Sequence, residues 1–205
     1  MNTIDIKYNN EIGSFEDLYR LAIDQFLKYE EVEKRNWDEY DFSIDCAADQ
    51  AMFKDMLQIR FIEELTEASC SINEPEEHFW EEIGDALNFF LSAYVMIDVD
   101  FNSFISPEHY LPKESHKTKI DTLDDFSLAA YPVIEKVGYL CNLLKNRPWA
   151  ESNYLVSEYD FDLRLRDLWQ SFWQFLGDMG LNREDIFEIF YKKYKVNEHR
   201  RSTNY

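Results

Sequence analysis

Two pairs of acidic residues lie on neighbouring predicted helices. Glu64 and Glu67 are three positions apart, and so are Glu82 and Asp85. Residues three positions apart share one face of an α-helix, so each pair presents its two carboxylates together. Antiparallel packing of the two helices would bring all four carboxylates into one group.

A group of this kind favours a divalent cation. Two like charges about 4 Å apart repel by about 4 kcal/mol at an effective dielectric constant of about 20, so protons or cations have to neutralise them. The chain after Asp85 is very apolar, and an uncompensated carboxylate is costly to bury there. Carboxylate oxygens without His or Cys suit Mg²⁺, with Mn²⁺ also possible, rather than zinc. Because Mg²⁺ takes its remaining ligands from water and substrate phosphates, the four acids predict phosphate chemistry on a nucleotide.

Two other interpretations of the acidic pairs stay open at this level. The four acids could form a solvated acidic stripe, because such spacings recur by chance in a chain with 41 Asp and Glu residues. They could also belong to a di-iron site of the ferritin type. That site needs a Glu-x-x-His motif on two helices, and neither pair here has His at that position.

The C-terminal segment brings positive charge to this acidic chain. Its basic residues are Lys192, Lys193, Lys195, Arg200 and Arg201. A triphosphate needs a local basic patch of this kind. The alternative is that these cations only complement the C-terminus of a helix, at about 0.3 kcal/mol each.

The acidic pairs and the C-terminus together resemble the all-α nucleoside triphosphate pyrophosphatase superfamily, which includes MazG-type enzymes and the dimeric dUTP pyrophosphatases (dUTPases). The dUTPases and the related phage dCTP pyrophosphatases end in a box of the form Lys-Asn-x-x-Asn-x-x-Arg-Gln-x-x-Gly-Tyr. Four residues match this box at the correct spacing: Lys193, Asn197, Arg200 and Tyr205. Four positions depart from the family pattern: Tyr194 for Asn, Arg201 for Gln, Asn204 for Gly, and Asn88 where the family commonly has His.

The resemblance implies an active enzyme that hydrolyses dUTP to dUMP and pyrophosphate with Mg²⁺. The catalytic and metal-binding residues would be Glu64, Glu67, Glu82 and Asp85, one of which would orient the attacking water. Lys193 and Arg200 would neutralise phosphate charge. Asn197 and Tyr205 would contact the sugar, base or phosphates as a C-terminal tail, 196–205, closes over the substrate.

The N-terminal helix supplies further candidates by the same resemblance. Gln25 stands where dUTPases often have a Gln that contacts the base, and Asn88 is a further candidate for substrate binding. Trp37 could stack on a base, although a structural role is more common for such an aromatic residue.

The departures from the box leave the nucleobase open. The nearest alternative substrate is dCTP, followed by a broader range of deoxynucleoside triphosphates. The alternative of another class is an inactive acidic module that senses nucleotides or binds proteins. Relatives bury apolar helices between subunits, so the resemblance also implies a homodimer.

Helices must position these residues. The chain has only 5 Gly and 5 Pro, and its apolar residues recur at helical spacing. Ser14 and Asn182 predict helix starts, and Gly180 predicts a helix end. We predict a single all-α domain, 1–205, built as a bundle of five or six helices: 15–29, 47–68, 76–99, 123–145, 157–179 and 183–195.

Three of these segments carry more specific expectations. The helix 47–68 has apolar residues on nearly every side, which predicts burial all round. Pro75 suits the first position of the next helix, and Pro132 predicts a restart or kink in the fourth. The polar segment 101–121 is predicted to be a loop or insertion.

Composition restricts the partners. The chain has 41 acidic against 21 basic residues, a net charge of −20, so we expect no nucleic-acid partner and no docking on anionic membranes. Cys46, Cys70 and Cys141 are unclustered, which favours reduced thiols. With no signal pattern and no long apolar run, we expect a soluble cytoplasmic protein, of a bacterium or a phage-infected cell by the resemblance.

Overall fold

The computed structural model describes residues 7–32, 42–144 and 156–203, which form helices and their connections without any β-strand. The α-helices of this part of the chain are α1 (Phe15–Val32), α2 (Ala47–Lys54), α3 (Ile62–Cys70), α4 (Glu76–Met96), α5 (Leu123–Leu143), α6 (Glu158–Asp178) and α7 (Arg183–Ser202). The all-α prediction is confirmed, and the number of helices is close to the predicted one.

Helix starts follow local capping chemistry. The Ser14 hydroxyl accepts a hydrogen bond from the Asp17 backbone N–H at 3.1 Å. The Asn182 side chain caps α7 by accepting a hydrogen bond from the Asp185 backbone N–H. In turn, the Asp185 carboxylate accepts a hydrogen bond from the Asn182 backbone N–H at 3.0 Å. Each cap satisfies backbone donors that a helix start leaves unpaired. The predicted caps Ser14 and Asn182 are therefore confirmed.

The predicted helix 47–68 is interrupted by a π-helical turn, Asp55–Phe61, between α2 and α3. The wider turn shifts the phase of the helix face, so Met56, Leu57 and Phe61 point inward while Ile59 is 58% exposed. The expectation of burial all round is therefore wrong. Segments of this kind are frequent at functional sites, and this one leads directly into α3.

The two prolines also act differently from the prediction. Pro75 is the N-cap of α4, in an extended conformation, rather than its first helical residue. Pro132 lies inside a continuous α5, so the helix does not restart there, and the alternative of a kink stays a prediction. Its side chain and that of Leu128 are exposed, which lets water satisfy the Leu128 carbonyl that loses its partner.

Two helix ends also differ from the prediction. Helix α4 ends at Met96 rather than near 99, because Asp98 adopts a left-handed conformation with φ of 51°. Helix α7 continues to Ser202 instead of ending near 195. Most of the predicted C-terminal tail is therefore helical.

Helix α4 is the centre of the bundle and packs against α1, α3 and α7. Its Phe90 ring lies 4.1 Å from the ring of Phe172 on α6, centre to centre. Trp169 and Trp173 extend this aromatic cluster along α6. Burying one such side chain stabilises the fold by about 1.5–3 kcal/mol, so the cluster holds α4 firmly in place.

The predicted loop 101–121 packs onto the bundle. The Trp169 indole N–H donates to the Ile105 carbonyl at 2.9 Å, and the His116 N–H donates to the Gly180 carbonyl at 2.9 Å. Gly180 has a φ of 76° and ends α6 as predicted. A Cβ at Gly180 would lie 2.3 Å from the His116 carbonyl oxygen, so only glycine fits this contact.

Among the described residues, no single helix has the length and hydropathy of a membrane span. The two segments Glu76–Met96 and Phe101–His109, which are bent by 96° relative to each other, together have the length and composition of a membrane span, and nothing else supports such a role for them.

Gly180→Ala should destabilise the protein by more than about 2 kcal/mol, because alanine is strained at positive φ and its methyl would overlap the His116 carbonyl. Gly13→Ala is the matched control, since its Cβ would meet only an ordinary contact at 3.4 Å. Urea unfolding measures both free energies. Equal stability of the two variants would contradict the packing of the loop against this turn.

Candidate active site

Three predicted site residues meet between α3 and α4. Glu64, Glu82 and Asp85 each offer a carboxylate oxygen, and these oxygens all lie within 4.8 Å of one another. A short connection, 71–75, joins the two helices, which pack side by side. The structure thus brings together one carboxylate of the first predicted pair and both of the second.

Glu67 lies at the edge of this metal group, which we define as Glu64, Glu82 and Asp85. Its side chain is exposed, and it offers no oxygen within the group. Its charge still acts on Glu64 and Glu82, whose pKa values it raises. Glu67 is therefore a neighbour of the group rather than a member.

The three carboxylates of the metal group have raised pKa values. Burial, followed by the negative charges of Asp85, Glu67 and Glu82, raises the pKa of Glu64 to about 8. Burial also raises the pKa values of Glu82 and Asp85. At neutral pH the three groups therefore favour a shared proton or a bound cation over full ionisation.

Lys193 of α7 neutralises part of this charge. Its ammonium group donates a hydrogen bond to Asp85 Oδ2, and both side chains are largely buried. Gly84 lies against α7 beside this contact, where a Cβ would lie only 3.0 Å from Ile189 Cγ2. The glycine lets α7 approach α4 closely enough for Lys193 to reach Asp85. Arg200 also lowers the pKa of Asp85.

Gln25 and Asn88 form a buried amide pair one helical turn beyond Asp85. The Gln25 Nε2 donates to Asn88 Oδ1, and the two residues are only 1% and 7% exposed. Gln25 Oε1 has no hydrogen-bond partner among the described residues. Both residues are candidates from the sequence, but their contact with each other could not be predicted from it.

The remaining candidates lie on α7 or outside the described residues. Asn197 is 3% exposed and Arg200 is half-buried. Both belong to α7 rather than to a separate tail. Tyr205 and Trp37 lie outside the described residues.

Sequence reasoning missed a polar contact between α1 and α7. Asp24 Oδ2 accepts hydrogen bonds from the Lys28 ammonium and the Tyr194 hydroxyl, both at 2.7 Å. The four-residue spacing of Asp24 and Lys28 could have predicted their ion pair, but no sequence signal predicts the hydrogen bond from Tyr194 on α7. Tyr29, in the same region, carries the Arg201 guanidinium over its ring at 4.9 Å.

The metal group fits a hard divalent cation. It offers carboxylate oxygens alone, and burial together with neighbouring negative charge raises their pKa values, an effect that a bound cation would offset. Lys193 compensates one of them, and substrate phosphates would supply further oxygen ligands beside it. The arrangement can therefore bind a metal ion together with a phosphate chain.

A family model described as dUTPase matches residues 69–205. The matched region contains α4 and α7, and therefore Glu82, Asp85 and Lys193, but begins after Glu64. No curated protein and no solved structure matches the chain significantly.

The apparent affinity for Mg²⁺ should rise as pH increases towards about 8 and then level off. Glu64, with a pKa raised to about 8, must lose its proton before it can bind the ion, which gives up to a tenfold change in affinity per pH unit. Calorimetric titration at pH 6, 7, 8 and 9 measures this. An affinity that is independent of pH would contradict a protonated Glu64 in the metal-free protein.

Glu64→Gln should stabilise the metal-free protein at pH 9 and abolish its stabilisation by Mg²⁺. The raised pKa means that the folded state binds an extra proton between about pH 4.5 and 8, so wild-type stability falls as pH rises through this window. The exposed neighbour provides the control, Glu63→Gln, which should retain the response to Mg²⁺. Thermal unfolding with and without Mg²⁺ compares the two variants.

Proposed function

We propose that this chain, which belongs to the dUTPase family, hydrolyses dUTP to dUMP and pyrophosphate with Mg²⁺ held by Glu64, Glu82 and Asp85. The observation that carries the proposal is the convergence of these three carboxylates beneath a lysine, inside a family of dUTP diphosphatases.

The two sides of the site carry opposite charges. Helices α3 and α4 supply the carboxylates, while α7 supplies Lys193 and Arg200. A magnesium–triphosphate complex carries both a cation and a polyanion, so it is complementary to this arrangement. Lys193 would exchange its contact with Asp85 for one with a phosphate oxygen when the metal ion binds. That exchange keeps each charge paired at every stage.

The acids outside and inside the metal group have separate roles. A bound Mg²⁺ would supply Lewis-acid charge for the phosphates and for the attacking water. Glu67 is not part of the group and is exposed, so it is free to orient that water by accepting a hydrogen bond. Arg200 would stabilise the negative charge that develops on the departing pyrophosphate.

The amide pair is suited to reading the base. The Oε1 atom of Gln25 is a buried acceptor without a donor, and uracil offers its N3–H as a donor. The Asn88 amide can donate to a uracil carbonyl in return. A polar pocket of this kind rejects bases that leave its groups unpaired, so Gln25 and Asn88 would set base preference. Asn197, and Tyr205 from outside the described residues, would complete the contacts to the nucleotide.

The exposed side of α5 is suited to a homodimer contact. Leu128, Tyr131 and Ile134 are 77%, 62% and 42% exposed, and no charged residue lies between 128 and 134. In a chain with a net charge of −20, an uncharged apolar face is where a second copy can approach without strong repulsion.

Asp85→Asn should reduce the rate of dUTP hydrolysis by at least about a thousandfold, because it removes both a metal ligand and the partner of Lys193. Glu81→Gln, on an exposed face of the same helix, is the control and should keep the wild-type rate. Pyrophosphate release is measured with Mg²⁺ across all deoxynucleoside and ribonucleoside triphosphates. Preferred turnover of dCTP would show that the enzyme prefers cytosine to uracil. No turnover of any substrate would refute the proposed function.

Tyr131→Asp should convert the dimer to a monomer, because it places a charge in the proposed contact. The control is Ile105→Glu, which changes an equally exposed apolar residue on the segment between α4 and α5. Light scattering at micromolar concentration reports the mass of each. A monomeric wild-type protein would contradict the dimer proposal and leave the enzymatic one intact.

A further inference from the structure

Arg201 lies in the last turn of α7, and its side chain is partly buried. Both terminal nitrogens, Nη1 and Nη2, are inaccessible to solvent, and neither has a partner among the described residues. The group stacks over the Tyr29 ring at 4.9 Å. Arg201 lies about two helical turns after Lys193, the α7 residue that contacts Asp85, and Tyr29 lies about one turn after Gln25 on α1.

Two acids near Arg201 already have other partners. Asp24 and Glu198 both feel its positive charge. Asp24, however, accepts hydrogen bonds from Lys28 and Tyr194, and Glu198 accepts one from Lys195 at 2.8 Å. Neither acid therefore occupies the two guanidinium nitrogens. These nitrogens form a fork of the geometry that binds phosphate with two parallel hydrogen bonds, once the ligand displaces the groups that shield them from solvent.

The position of Arg201 along the helices identifies the phosphate it can reach. Helices α1 and α7 run side by side in the same direction, since Asp24 contacts Tyr194 and Tyr29 contacts Arg201. The amide pair at Gln25 therefore lies one helical turn behind the level of Tyr29 and Arg201. The chain runs in the opposite direction along α4, since Gln25 contacts Asn88 and Tyr19 contacts Val99, so Asp85 lies on the Tyr29 side of the amide pair. A nucleotide with its base at Gln25 and its phosphates at Asp85 would therefore extend its phosphate chain towards Arg201.

We infer that Arg201 binds the terminal phosphate of the substrate, in addition to the contacts of Lys193 and Arg200 near the metal group. The inference rests on the proposed function for the orientation of the nucleotide. Tyr29 is the positioning residue, because its ring holds the guanidinium flat and buried. Arg201 thus favours nucleoside triphosphates over shorter phosphate chains at this site.

The test compares Arg201→Gln with Arg183→Gln, which removes the same charge from the first turn of the same helix, at an exposed ion pair with Glu184. Calorimetry with Mg²⁺ measures binding of dUMP and of the α,β-imido analogues of dUDP and dUTP. Arg201→Gln should weaken the triphosphate about 10- to 100-fold and change dUMP by less than twofold. Arg183→Gln should change none of them. An equal loss for all three ligands, or no loss, would overturn the inference.

Two further measurements separate this inference from the proposed function and from a structural role. If wild type binds no uracil nucleotide, the proposed function fails, and inorganic tripolyphosphate with Mg²⁺ tests Arg201 alone. Binding that is tenfold weaker in Arg201→Gln supports the inference, whereas equal binding or none overturns it. The ligand-free variant should unfold close to the wild-type temperature, because the two terminal nitrogens have no acceptor to lose among the described residues. A clearly lower temperature would assign Arg201 to the fold instead.

Discussion

Repulsion among three half-buried carboxylates is the constraint around which the candidate active site is built. Glu64, Glu82 and Asp85 lie within 4.8 Å of one another and share one lysine as their closest cation among the described residues. Charges this close cannot all ionise in a partly desolvated site without a compensating cation. The raised pKa of Glu64 is the direct consequence. Such a site stores free energy that a divalent cation can release on binding.

The rest of the fold holds these charges together against their repulsion. Helix α4 carries two of the three acids and lies in the aromatic cluster around Phe90, which fixes its position. Gly84 brings α7 close enough for Lys193 to reach the group. The core therefore stabilises the helices while the site destabilises them locally, a balance that is common where function requires an unfavourable arrangement.

Sequence periodicity predicted the helices well, because capping and helical spacing are local properties. Ser14 and Asn182 cap helix starts because their side chains can accept a backbone hydrogen bond. Gly180 follows the end of α6 because a residue without a side chain can adopt positive φ. The π-helical turn at Asp55–Phe61 could not be predicted in this way, since it depends on how α3 must rotate to pack on α4. The continuation of α5 through Pro132 depends on exposure, which is also a tertiary property.

The same division applies to the site. Spacing placed the acids on helix faces, but only packing shows that Glu67 lies outside the group and that Gln25 meets Asn88. Arg201 could be identified as a departure from the family box, yet its stacking on Tyr29 depends on the contact between α1 and α7. A single sequence gives the weakest evidence for residues whose role depends on a contact with another helix.

The central claim is that Glu64, Glu82 and Asp85 bind a divalent cation that replaces Lys193 beside Asp85. A crystal structure of the protein grown with Mn²⁺, with anomalous scattering measured at the manganese edge, tests it most directly. We predict an anomalous peak within about 2.3 Å of an oxygen of each carboxylate, and a Lys193 ammonium group displaced from Asp85. Absence of a peak at these residues, with Lys193 still bound to Asp85, would contradict the account.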